Sequence, residues 1–211
     1  MAQPACSNNT SDEIRYIALG DSYTAGTGAS PEESWPVLLT KRLQDKGVRL
    51  RLVANLARSG WTTKDVIEKQ LPVYKSAQPS LASILIGAND LVRGGSPKIY
   101  RQELAFLLDQ MLAVLPDRRK LFVVTIPDYS ITPAGQEFAA AVDVSAGLRA
   151  FNKIIYEEAR RRNLVVIDIY DLSQRMAQDP SLISADNLHP SAQEYAIWAE
   201  RISHAVYEML Q

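Results

Sequence analysis

Five short apolar runs, three of them closed by a glycine or proline, alternate with stretches of helical period, and no other feature restricts the fold as far. The runs are Ile14–Leu19, Leu50–Leu56, Leu81–Ile86, Leu121–Ile126 and Leu164–Ile169. They read as continuous apolar segments, the pattern of strands buried on both faces of a parallel sheet. Between them, helices are predicted at Trp35–Leu43, Thr62–Leu71, Pro97–Leu115 and Gln136–Asn163, with a last one at Ser191–Met209. Ser34 stands where a helix cap belongs and Gly47 where that helix stops. Pro72 is expected to close the second helix, and Gly147 to divide the fourth. Ser191 and Glu194 have the spacing of a capping box. The predicted architecture is therefore α/β: a three-layer α/β/α sandwich around a five-stranded parallel sheet. Residues 13–211 are expected to form one domain, preceded by a flexible leader at 1–12.

In a sheet wound this way, functional groups collect on loops at the carboxyl ends of the strands. Ser22 follows the first strand, within Gly20-Asp21-Ser22-Tyr23. Gly60 follows the second. Asn89 follows the third, within Gly87-Ala88-Asn89-Asp90. Asp186-Asn187-Leu188-His189 lies on the loop before the last helix, free to return to the same rim. Taken singly, each has an ordinary structural use: Ser22 as a helix cap, Gly60 as a turn, Asn89 as an Asx-turn and Asp186 as a loop brace. Together they supply one set of chemical functions. A serine hydroxyl becomes nucleophilic when a base takes its proton. A carboxylate three residues from a histidine can fix the ring tautomer, leaving Nε2 as that base. Backbone N–H groups at Ser22 and Gly60 and the Asn89 amide are neutral donors for an oxyanion. Asp90 is expected to brace its turn, and His204 has no assigned role.

These blocks resemble the GDSL/SGNH hydrolase superfamily, named for its Ser, Gly, Asn and His. The resemblance runs from Ile14 to the last helix, with all four blocks in family order; Tyr23 stands in place of the leucine of GDSL. It implies a flavodoxin-like sheet of order 2-1-3-4-5, Ser22 as nucleophile, His189 as base and Asp186 as its orienting acid. It also implies an oxyanion hole from Ser22, Gly60 and Asn89. Asn55–Thr63 and Gly87–Gly94 look like the bacterial lysophospholipase, thioesterase and arylesterase branch. The expected function is a serine esterase acting through an acyl-enzyme, with no cofactor and no metal.

Composition narrows the alternatives. The net charge of -1 leaves no basic excess for nucleic acid. Two histidines and one cysteine make a multi-histidine or thiolate metal centre improbable. No apolar run reaches the roughly 20 residues of a membrane span. Pro4-Ala5-Cys6-Ser7 resembles the surroundings of a lipidated bacterial cysteine, so a lipid anchor at Cys6 and a periplasmic or envelope location are expected as alternatives to the cytoplasm. Arg160-Arg161-Arg162 is read as charge complementation at a helix C-terminus.

The partner is expected to be a small-molecule ester. Tyr23, Trp61, Leu91 and Val92, with Ile131 and Phe138, are candidates for lining an acyl pocket. Trp61 and Tyr129 could instead stack on a sugar, favouring a carbohydrate O-acetyl esterase. A non-catalytic, ligand-binding flavodoxin-like module using the Gly20–Gly28 loop is the alternative from another class; it leaves Asn89 and the Asp186/His189 pair unexplained.

Overall fold

The computed structural model describes residues 13–139 and 143–211; Cys6, the leader and the side chain of Phe138 lie outside the described residues. The elements run β1 (Ile14–Gly20), α1 (Ser22–Ala25), α2 (Trp35–Asp45), β2 (Leu50–Asn55), α3 (Thr63–Asp65), α4 (Leu71–Ala77) and β3 (Leu81–Leu85). They continue α5 (Ala88–Val92), α6 (Pro97–Leu112), β4 (Leu121–Val124), α7 (Pro133–Ala139), α8 (Val144–Arg161), β5 (Val165–Ile167), α9 (Tyr170–Ser173) and α10 (Ala192–Leu210). The sheet is parallel throughout, in the order β2-β1-β3-β4-β5. The right-handed rule for parallel crossovers, applied to this strand order, assigns α2 to one face and α3, α4, α6 and α8 to the other. The last helix returns beside α2, and α6 lies between α4 and α8.

The three inner strands carry the core. Tyr16, Ile17, Leu19, Leu81, Ile84, Leu85 and Phe122 are all fully buried. The edge strands are not buried on both faces as the sequence predicts: β2 is largely half-buried and Val165 of β5 is exposed. An edge strand lacks a neighbour on one side, so helices cover it only partly.

Strand β1 outruns its partner β2, whose pairing stops at Ala18↔Asn55. The Gln70 side chain takes over. Its Oε1 accepts from Gly20 N–H at 3.0 Å and its Nε2 donates to Gly20 O at 2.7 Å. Asn152 does the same for Ile126, two residues past the end of β4, at 2.8 and 2.9 Å. Two side-chain amides thus satisfy buried backbone groups just where the strands give way to functional loops.

Three sequence expectations need correction. Pro72 does not close its helix. Residues Val66–Gln70 form a π-helical turn with Leu71 N–H bonded to Val66 O, and the chain continues helically to Ala77. The wider turn absorbs the missing proline N–H and turns Gln70 toward Gly20. The Gln136–Asn163 stretch does begin as two helices, α7 and α8, but the division does not fall at Gly147: α8 starts at Val144, capped by Asp143, and runs through it. A Cβ at Gly147 would come within 2.7 Å of Leu91 Cδ1, so this glycine permits close packing. The Ser191 capping box is half-formed. Ser191 Oγ accepts from Glu194 N–H, while the Glu194 carboxylate turns inward to Trp198 Nε1 at 2.6 Å. The arginine run does more than complement a helix end: Glu158, 2 % exposed, takes ion pairs from Arg101, Arg161 and Arg162, joining α6 to α8.

Candidate active site

Ser22 is the first residue of α1, at the sharp turn out of β1. Asp21 caps the turn: its side chain accepts from Tyr23 N–H at 3.1 Å, and its carbonyl accepts from Thr24 and Ala25. As the first residue of a helix, Ser22 has an N–H without a helical acceptor. Gly26 ends the turn with φ of 85°.

Gly60 has φ of 81°, a backbone conformation that explains the glycine without any steric argument, since a Cβ there would meet only Arg93 Nη2 at 3.9 Å. Three hydrogen-bond donors lock this loop to the Asn89 loop. Asn89 Nδ2 donates to Trp61 O at 3.0 Å, Arg93 Nη2 donates to Gly60 O at 2.6 Å, and both oxygens of Asp90 accept from Thr63 N–H. Asp90 is therefore the brace its sequence position predicts. One amide hydrogen of Asn89 is spent on Trp61, which orients the other.

Asp186 and His189 sit on a tight loop closed by an antiparallel bridge between Ile183 and Pro190. Asp186 Oδ1 accepts from Ser184 Oγ at 2.7 Å and from the N–H groups of Leu188 and His189 at 2.9 Å each. Its Oδ2 faces His189 Nδ1 at 2.7 Å. Burial alone would raise this carboxyl. The hydrogen bonds from the His189 amide and ring, from Leu188 and from Ser184 overcome that and hold it far below the usual carboxylate range. An acceptor-only carboxylate requires Nδ1–H, leaving Nε2 unprotonated in the neutral ring. Gly28 lets the chain after α1 pass beside this loop, because a Cβ there would lie 2.6 Å from Pro190 O. The ring of His189 packs on Tyr23 with centroids 5.4 Å apart.

Ser22, Gly60, Asn89 and His189 line one pocket of about 220 Å³, together with Tyr23, Ser59, Val92 and Tyr129. A second, mainly apolar cavity of about 520 Å³ adjoins it, with Leu91, Val144, Gly147 and Phe151 in its wall; Val92 and Tyr129 border both. Of the candidate pocket residues, Tyr23 and Val92 line the first pocket and Leu91 the second. Trp61 lines neither. It is half-buried, with Lys69 Nζ 4.9 Å over its ring. Ile131 lines neither cavity. Thr63 and Arg93, whose partners stand on another loop, and Ser184, which braces Asp186 from within its own loop, carry no site role in the sequence reading. It singled out Tyr129 only for sugar stacking. Among the described residues, no group of three or more His, Cys, Asp or Glu side chains is placed to hold a metal ion. No helix among them is long and apolar enough to cross a membrane.

A pocket of this make-up, set on the carboxyl rim of a parallel sheet, defines a serine hydrolase that acts on ester bonds. Residues 18–197 match the GDSL-like Lipase/Acylhydrolase family, and the chain belongs to it. It is 25% identical to esterase TesA of Pseudomonas aeruginosa over 83% of this chain and 79% of that protein. It is 32% identical to the thioesterase 1/protease 1/lysophospholipase L1 of Escherichia coli K12, over 46% of this chain and 45% of that one. A crystal structure of TesA superposes with a TM-score of 0.74 at 23% identity, covering 92% of this chain and 99% of the other.

Proposed function

We propose that the chain cleaves carboxylic esters by two-step acyl transfer at the Ser22 pocket, on acyl groups longer than acetyl. Ser22 Oγ attacks the ester carbonyl as His189 Nε2 takes its proton. Asp186 keeps Nδ1 protonated and steadies the imidazolium that forms. The carbonyl oxygen, now an oxyanion, accepts from Ser22 N–H, Gly60 N–H and the Asn89 amide. His189 returns the proton to the leaving alkoxide. A water molecule, deprotonated by the same ring, then cleaves the acyl-enzyme. The observation that carries this reading is the convergence of Ser22, Gly60, Asn89 and His189 on one pocket, with the ring already tied to Asp186.

The acyl preference rests on the adjoining apolar cavity. An acyl chain on Ser22 that passes Val92 and Tyr129 buries apolar surface along Leu91, Val144 and Phe151. Sugar stacking finds less support. Tyr129 is 2 % exposed, and Trp61 lies outside the pocket. The branch resemblance supports thioesters and lysophospholipids as further substrates, and Pro4-Ala5-Cys6 supports an envelope location.

Fluorophosphonate labelling of wild type and Ser22→Ala tests the nucleophile; labelling that survives the substitution removes the assignment. p-Nitrophenyl acetate, butyrate and octanoate, run beside acetylated sugars, test the acyl side. The cavity predicts rising kcat/KM along the ester series, and a sharp preference for sugar acetate sinks it.

A further inference from the structure

Asp21 is an ionisable group that acyl transfer at Ser22 leaves without a role. It joins the end of β1 to the serine. It is 0 % exposed. Its Oδ1 accepts from Tyr23 N–H, while Oδ2 has no hydrogen-bond donor in the protein. A carboxylate removed from water needs several donors or a cation to keep its charge. Asp21 has one donor from another residue, the Tyr23 N–H, beside its own backbone N–H. The titratable groups that face it are Tyr23 from α1, Asp90 from α5, Tyr100 from α6, Tyr129 from the loop after β4 and Tyr195 from α10. Every one is an acid. The cations at hand are otherwise engaged: Arg93 acts on Asp90 and bonds Gly60 O, and His189 is bonded to Asp186. Asp90 opposes a charge on Asp21, and none of the facing groups is a cation that would compensate it.

We propose that Asp21 is held as a neutral carboxylic acid and serves as the positioning residue of the Ser22 turn. Its two acceptor groups, side chain and carbonyl, reach across the nucleophile to the three residues that follow it. The side chain holds Tyr23 N–H, and the carbonyl holds Thr24 N–H at 3.2 Å and Ala25 N–H at 2.9 Å. These fix the peptide between them, whose Ser22 N–H faces the developing oxyanion. A negative charge on Asp21 would stand beside that oxyanion in a low-dielectric site and oppose its formation. Neutrality allows an acid to cap this turn without that electrostatic cost. Burial pushes the Asp21 carboxyl up to about 8, with Asp90 adding to the effect against the Tyr23 hydrogen bond. Ionisation then turns a positioning group into an inhibitory one at alkaline pH. The inference rests on Ser22 being the nucleophile.

The test compares wild type, Asp21→Asn and Asp21→Ala by pH-stat on an ethyl ester from pH 6 to pH 10. Infrared difference spectroscopy reads the protonated carboxyl band. Asparagine keeps the acceptor and cannot ionise. It should retain kcat within about threefold at pH 7 with KM unchanged, and hold that rate at pH 10, where wild type falls by about tenfold. Alanine should lose kcat at every pH while leaving KM near wild type. Wild type should show a protonated carboxyl band at pH 7 that is missing from Asp21→Asn. The proposal is overturned if that band is absent, if alanine and asparagine behave alike, or if folded Asp21→Asn drops about a hundredfold at pH 7. Each of those results leaves fluorophosphonate labelling of Ser22 intact. Turnover by Ser22→Ala would instead sink the nucleophile assignment itself.

Discussion

Two aspartates flank the proposed chemistry, and the protein treats them oppositely. The Asp186 side chain is 42% exposed and takes three donors on Oδ1 and the histidine ring on Oδ2. Asp21 is sealed from solvent and takes one donor from another residue. Hydrogen bonds hold the first in its charged form against partial burial, whereas burial drives the second toward its neutral form. Two residues of one type in neighbouring motifs therefore differ by a unit of charge. The number of donors that folding assembles around each, rather than the residue type, sets the difference.

This contrast can be broken at several points. The largest loss is expected at the shared partners. Ser22→Ala or His189→Ala should lower kcat by about a millionfold while the fold survives, as checked by esterase assay and circular dichroism. Asp186→Asn keeps the shape but removes the charge that selects Nδ1–H, so kcat should fall about 1,000- to 10,000-fold. Asn89→Ala removes one oxyanion donor and frees the Trp61 carbonyl, lowering kcat about 100- to 1,000-fold. If Asp186→Asn cost no more than Asp21→Asn, the distinction between the two carboxyls would collapse.

The smallest effect concerns stability. A carboxyl raised in the folded state holds more protons folded than unfolded. Its stabilising contribution is complete below the unfolded value near 3.8 and is lost as pH rises toward the folded value of about 8. Asp21→Asn escapes that loss. Its Tm should match wild type most closely near pH 4 and exceed it increasingly toward pH 8. The sign reverses for Asp186, whose lowered carboxyl contributes stability above that unfolded value and loses it as the pH falls. Thermal denaturation across this range reads both slopes, and parallel slopes would refute the contrast.

Much of this was legible in the chain. Apolar runs that end in glycine located β1 and β3, because a buried strand needs nothing beyond its own side chains to announce itself. Asp186 and His189 were readable as a pair, since three residues of loop hold both groups. Gly147 and Pro72 misled for one reason. Each looks like a helix breaker locally, yet a distant partner accommodates it: Leu91 packs where Gly147 lacks a Cβ, and a π turn delivers Gln70 to Gly20.

Local pattern alone set the alternation of strands and helices, the place of Ser22 at a strand-to-helix turn and the pairing of Asp186 with His189. These depend on interactions between residues a few positions apart. The assembled fold sets which loops lock together through Thr63 and Arg93, where the apolar cavity opens, and which aspartate is left with a single neighbouring donor. Those depend on burial and on partners far away along the chain, and a string of residue types carries neither until the sheet brings its rim together.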